Sequence, residues 1–378
     1  MRTAVLVLGL LLTLWAIIGV IRSMLIQTNS LSLVDRAANK LITGVSYRML
    51  SLLPSFKSQN RWLSFLGPTV ILVRLLIYVV ILICTTGLIV FGTTNLSLMD
   101  SLYQSGATLT TLGITEPVNV ASSITVFFAA FLGLVLIAVF IGYLLAVYGA
   151  VVNRESPMAR LSPLAGEPAW GPQIIARAHA LKLPSEEAPI VMDWINWISD
   201  LRLNQRANPI QAEFRSTSEL RHWVITMLAV MDAVALRVAL TGKDQPHDVQ
   251  LLTEGSITFA LFDGSSTRTR NWDLLSEFSR AIVMDSSLVT ANQESDAAQL
   301  SDADWEAGLD ALSEVGYPLP DDLDLVRQRF VRIRSMYATQ ACNLAWRYHS
   351  VRAPWSGTRR TNLEVVWPEI AEEVGKTS

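Results

Sequence analysis

Six consecutive residues, Thr110-Thr111-Leu112-Gly113-Ile114-Thr115, are of the types that could dehydrate and hold a cation. A row of backbone carbonyls can replace an ion's hydration shell. Gly113 permits the backbone conformation that turns those carbonyls inward. Glu116 follows at what would be the outer mouth, and Pro117 ends the stretch. One such loop supplies only one wall, so several copies around an axis would be needed. They would make a ring of carbonyl oxygens with a ring of carboxylates above it.

The elements around this loop must hold it at membrane depth. Leu98–Leu109 is long enough for about three helical turns, too short to span a bilayer. If it enters from outside, the negative end of its dipole points at the membrane centre and favours a cation there. It lies between two long apolar runs, 67–92 and 122–152. Non-helical backbone between them must be buried in protein or line water. A third apolar run, 3–21, carries no charge and is long enough to cross a bilayer. It is longer than the apolar part of a signal peptide and predicts an uncleaved span. Residues 22–67 hold six basic residues and one acid, Asp35. The positive-inside tendency places them in the cytoplasm and the N-terminus outside. Leu31, Val34, Ala38, Leu41, Ile42, Val45, Met49 and Leu52 recur at helical spacing. They predict an amphipathic helix, lying either along the cytoplasmic leaflet or packed on the bundle. Arg74, alone in its span, is expected to snorkel to the headgroups. One arginine does not make a voltage sensor.

Charge divides the chain. Residues 1–150 carry 8 basic and 3 acidic side chains, and the remainder carries 22 and 30. The first part reads as membrane material and the second as an acidic soluble domain, a poor fit for nucleic acid. Prolines 157, 163, 168 and 172 predict that 156–172 is a linker and not one helix.

The run YQSGATLTTLGITEP (103–117) resembles the pore signature of two-span potassium channels. That signature has an aromatic in the pore helix, a threonine pair, then Thr-Val-Gly-Tyr-Gly-Asp and a proline. Thr111 matches the threonine that closes the inner end of the filter. Leu112 stands for valine, Gly113 for the first glycine, Ile114 for the aromatic, Glu116 for the aspartate and Pro117 for the proline. Thr115 replaces the second glycine, whose left-handed backbone is costly for a β-branched residue. The outer half of the filter is therefore expected to differ in shape. The resemblance covers roughly 68–152 and implies a homotetramer carrying potassium as the transported ion, with no cofactor. It makes the third span the pore-lining helix and puts a gating hinge near Gly133, twenty residues past Gly113. Close packing is the other reading of Gly133 and Gly142.

The C-terminal part reads as almost wholly helical. A stripe of Val224, Met227, Leu228, Met231, Val234, Ala235 and Val238 predicts one amphipathic helix. Leu323, Val326, Phe330, Ile333, Tyr337 and Leu344 predict a long C-terminal one. Ile190, Trp194, Trp197 and Leu201 mark a shorter one. Ser301 with Asp304, and Pro320 followed by Asp321, Asp322 and Asp324, read as helix starts. The tail after Val351 is expected to be loose up to Asn362. His179, His222, His247 and His349 are scattered, and no metal site is expected. The acids from Asp296 to Asp324 lack the spacing and glycine of a calcium loop. Trp194, Trp197, Trp223, Trp272, Trp305 and Trp346 read as core. No GxGxxG, GxSxG or CxxC occurs. An enzyme is not expected.

The sequence thus predicts an all-α membrane channel. Its parts are an N-terminal transmembrane helix (1–22), an amphipathic connector (23–67), outer helix, pore helix, filter and inner helix (68–152), a linker (153–172), and a cytoplasmic helical domain (173–378). The expected location is the cell membrane, multi-pass, in contact with lipid, and the sequence names no ligand for the cytoplasmic domain. The competing expectation is a non-conducting anchored sensor or scaffold with a relic pore loop.

Overall fold

The computed structural model describes residues 2–25, 33–183, 188–263 and 300–359. The described residues are all helix, turn and loop, with no strand. They form two compact units. The first comprises Met1–Leu50, Trp62–Val152 and Asn204–Phe214, and the second Ser51–Arg61, Asn153–Leu203 and Arg215–Ser378. Among the described residues, four helices are long and apolar enough to cross a membrane.

In the first unit, α1 (Arg2–Val20) packs along α4 (Leu66–Thr93). The contact is close enough that a Cβ on Gly92 would lie 2.7 Å from the Cβ of Leu6. Arg2 sits over the Phe91 ring and donates to the Thr94 carbonyl, fixing one end of the pair. The helix α2 (Leu33–Met49) also lies on α4, burying Asp35 and Ala38 and exposing Leu41 and Val45, and Leu52, past its end, is exposed too. Leu31 falls outside the described residues. Arg74 of α4 does not snorkel. It is 4% exposed and lies 3.6 Å from a carboxylate oxygen of Asp35, and its Nη2 donates to Asn39 Oδ1 at 2.6 Å. Ser23 Oγ donates to the same carboxylate. An ion pair with hydrogen-bonding neighbours removes the need for the guanidinium to reach water. The helix α3 spans Phe56–Ser64.

The helix α6 runs from Val120 to Ala165, well past the expected end of the span. Pro157 and Pro163 lie inside it, so the break in 156–172 comes only after Ala165. Each proline removes a backbone hydrogen bond. Burial of Met158, Leu161 and Ala165 in the second unit's core compensates. The chain resumes as α7 (Gly171–Ala180) and α8 (Ala188–Ala207).

The second unit is built around α9 (Trp223–Thr241). Its sequence predicts a stripe, yet every residue from Trp223 to Leu240 is buried. The other faces carry Trp223, Ile225, Val230, Leu236 and Leu240 with three alanines, and the two charged side chains are paired. Asp232 bonds Arg334 at 3.0 Å and the Tyr337 hydroxyl at 2.8 Å, and Arg237 bonds Asp248. Burial pushes the Asp232 carboxyl up from its ordinary range. Burial opposes the Arg334 charge, but Asp232 beside it holds the guanidinium above its ordinary range. A helix apolar on all sides belongs inside a core, and this is the fourth of the membrane-length helices, with 94% of its window buried.

Next in order come α10 (Pro246–Asp263), α11 (Asp302–Ser313), α12 (Leu323–Arg334) and α13 (Ala338–Arg347); α7, α10, α12 and α13 pack on α9, and α11 packs on α7. Ser301 and Asp322 cap α11 and α12 by accepting from Asp304 N and Leu325 N. The expected long C-terminal helix is two helices, because the chain breaks at 335–337, where Tyr337 turns its hydroxyl to Asp232. The segment after Val351 is not loose. Val351, Ala353 and Trp355 join the core, and Arg359 donates to the carbonyls of Ser350, Val351 and Ser356. Burial lowers the Arg359 pKa to about 10. Of the tryptophans read as core, Trp346 is 46% exposed. Trp272, Asp296 and everything after Arg359 lie outside the described residues.

Candidate functional site

The central element of the site is α5, Leu98–Leu109. Ser97 caps it, accepting from Asp100 N and donating to Asp100 Oδ2 at 2.6 Å. Its twelve residues make a rod of about 18 Å. One face is polar and buried: Ser101, Gln104, Ser105 and Thr108, spaced i, i+3, i+4, i+7. Ser105 Oγ reaches back to the Ile83 carbonyl of α4 at 2.9 Å and bonds the Thr86 hydroxyl. Gly87 of α4 gives way to Leu102, whose Cδ2 would lie 2.8 Å from any Cβ there. The other face exposes Met99 and Tyr103.

How α5 ends decides the shape of the loop. Leu112 N donates to the Ala107 carbonyl at 2.7 Å and Thr111 N to the Thr108 carbonyl at 3.0 Å. This 6→1 and 5→2 pair is a Schellman motif, with Thr111 in the left-handed position usually held by glycine. Thr111 has φ 60° and Gly113 has φ 63°. The β-branched residue in left-handed backbone is therefore Thr111, not Thr115. The C-terminal turn needs its left-handed residue immediately after the cap, whatever follows.

The carbonyls of Gly106, Ala107 and Thr108 are used by this cap. Those of Thr111, Leu112, Gly113 and Ile114 accept no hydrogen bond among the described residues, and these four residues are exposed. Thr110 Oγ1 bonds back to the Gly106 carbonyl, and Thr111 Oγ1 to that of Thr110. Thr115 is half-buried.

Two side chains absent from the sequence reading hold the return path. Gln104 Nε2 donates to the Glu116 carbonyl at 3.1 Å, so the helix grips the backbone of the rim. Asn119 Oδ1 accepts from Ser122 N at 2.7 Å at the start of α6, and its Nδ2 donates to the Thr93 carbonyl at the end of α4. The polar i, i+3, i+4, i+7 face of α5 is the sequence signal that could have revealed Gln104.

The C-terminal end of α5 is closed by α6. A Cβ built on Gly133 would stand 2.1 Å from the Leu109 carbonyl oxygen, so the two backbones touch. Gly142 meets nothing within 4 Å. Thr110 to Glu116 and Gly133 are thus brought to one place, and Gly142 lies elsewhere along α6. Among the described residues, no cluster of His, Cys, Asp or Glu could hold a metal ion.

Arranged this way, a half-length helix ends on a turn of exposed carbonyls, backed by a long apolar helix. Chemically it can offer uncharged oxygens to a cation. Comparison with family models, with curated proteins and with solved structures gave no match.

Proposed function

We propose that this chain is the subunit of an oligomeric cation channel of the multi-pass cell membrane, with potassium as the conducted ion. One observation carries the reading: between the membrane-length helices α4 and α6 sits a twelve-residue helix that ends in a turn where the carbonyls of Thr111, Leu112, Gly113 and Ile114 accept no hydrogen bond among the described residues. In this reading α4 is the outer helix, α6 the inner helix, Thr110 to Thr115 the filter and Glu116 its outer mouth. Four copies would complete the ring. The long α6 joins the pore to the second unit, which would sit in the cytoplasm and serve gating or assembly.

The test is ion flux from purified protein in liposomes, potassium against sodium. Saturable cation flux that is lost in Gly113→Leu supports the channel. An assembled oligomer that passes no cation leaves the chain an anchored scaffold, the reading that the substitution of Thr115 for a filter glycine favours.

A further inference from the structure

The second unit contains a cavity of about 90 Å³. Its walls come from the last two turns of α6 (Leu161, Leu164), from α7 (Ile175), α8 (Trp194) and α9 (Val234). Almost all of the lining is apolar, and one charged group reaches it, Arg237 of α9. Leu183, also on its wall, is exposed, so the cavity opens toward the surface, and its apolar lining favours an apolar occupant over water.

Arg237 sets the chemistry at the polar end. One of its Nη atoms is taken by Asp248, itself 1% exposed, and His247 Nε2 lies 3.7 Å from the same carboxylate oxygen. The guanidinium has further N–H donors in its planar fork. Because Asp248 already neutralises it, a second anion would meet a carboxylate next to its own partner. A neutral oxygen acceptor would take a hydrogen bond from Arg237 without setting a second negative charge beside Asp248.

We infer that this cavity is a binding site for a short aliphatic chain ending in a neutral oxygen acceptor, such as an alcohol or an amide. The chain lies among Leu161, Leu164, Ile175 and Val234 against the Trp194 ring. The acceptor takes a hydrogen bond from Arg237. Volume limits the buried part to a handful of carbons, since a cavity of about 150 Å³ holds a benzene ring. The occupant touches α6, the helix that also carries Gly133.

The experiment uses 6-bromo-1-hexanol, whose bromine quenches tryptophan fluorescence on contact, added to the full chain in lipid nanodiscs. Saturable quenching is expected, reduced by at least half in Trp194→Phe. In Ala233→Leu, which fills the cavity from α9, it is expected to vanish. Ala178→Leu, filling from α7, gives the same loss should the first variant fold poorly. 6-Bromohexanoate is expected to bind at least tenfold more weakly. Quenching that rises linearly without saturation, or that survives in both filled variants, overturns the site. Equal or tighter binding of the carboxylate overturns the assignment of a neutral ligand. None of these readouts depends on ion flux, so the site and the channel stand or fall separately.

Discussion

The Leu109 carbonyl oxygen occupies the space where a side chain of residue 133 would begin. A Cβ there would be 2.1 Å away, far inside contact distance, and the obstacle is backbone, which cannot rotate aside. The end of α5 and the middle of α6 are therefore locked together at a point no residue but glycine tolerates. Gly133→Ala is expected to push the helices apart and lower the midpoint of thermal unfolding, whereas Gly142→Ala, with open space around it and a better helix former in place, is expected to hold or raise the midpoint. Near-equal midpoints for the two variants would refute the lock.

Thr111 carries the backbone cost of the turn. Left-handed backbone costs a residue with a side chain about 1–2 kcal/mol. Thr111→Gly is expected to stabilise the protein by about 1 kcal/mol in denaturant unfolding. The same variant removes the hydroxyl, so flux in liposomes is expected to fall while stability rises. Thr111→Ser, keeping the hydroxyl, is expected to retain flux.

Arg74 and Asp35 join α4 to α2 through a buried ion pair. Removing one partner leaves the other charge buried and alone, at a cost of about 3–5 kcal/mol. Asp35→Ala is expected to lose that much stability. Arg74→Leu in the same chain is expected to recover most of it. A double variant no better than Asp35→Ala would show that the pair is not the source of the loss.

His222 makes the second unit sensitive to acid. Its Nδ1 accepts from Val224 N at the start of α9, so the neutral ring carries its proton on Nε2. Burial, reinforced by Arg215, Arg154, Arg359 and His349, holds the ring well below the ordinary histidine range. The unfolded chain therefore binds more protons than the folded one below about pH 6.5. Stability is complete above that pH and declines as pH falls toward the folded value. Unfolding midpoints measured across this range should fall with acidity in the wild type and be flatter in His222→Gln. An equal slope in both would place the acid sensitivity elsewhere.

Much of the architecture is readable from residue order, because apolar run length and capping residues act locally. The helix α5 spans Leu98–Leu109 as its run length predicts, and the starts of α11 and α12 follow from Ser301 and Asp322. What escapes is decided by partners distant in the chain. Arg74 is buried because Asp35 and Asn39 lie beside it in space, and no periodicity announces that pairing. Asp232 and Arg237 look like the polar side of a helix until Arg334 and Asp248 neutralise them. Pro157 and Pro163 read as breakers, but the core around Met158 and Leu161 outweighs two missing hydrogen bonds. At the candidate site, Gly113 and Glu116 stand out by type. Gln104 and Asn119 do not, because their importance lies in which carbonyls they reach.

The bond from Gln104 goes to the backbone of Glu116 and leaves its carboxylate out. Position and charge at the rim are therefore written in different residues. The amide at 104 determines where the rim sits, and the side chain at 116 determines what it presents. Evolution or an engineer can exchange the acid for a neutral or basic group without redrawing the loop, and can reshape the loop without touching its charge. The loop is in this sense modular, its placement carried by the hydrogen bond from Gln104 and its charge by a side chain outside that bond.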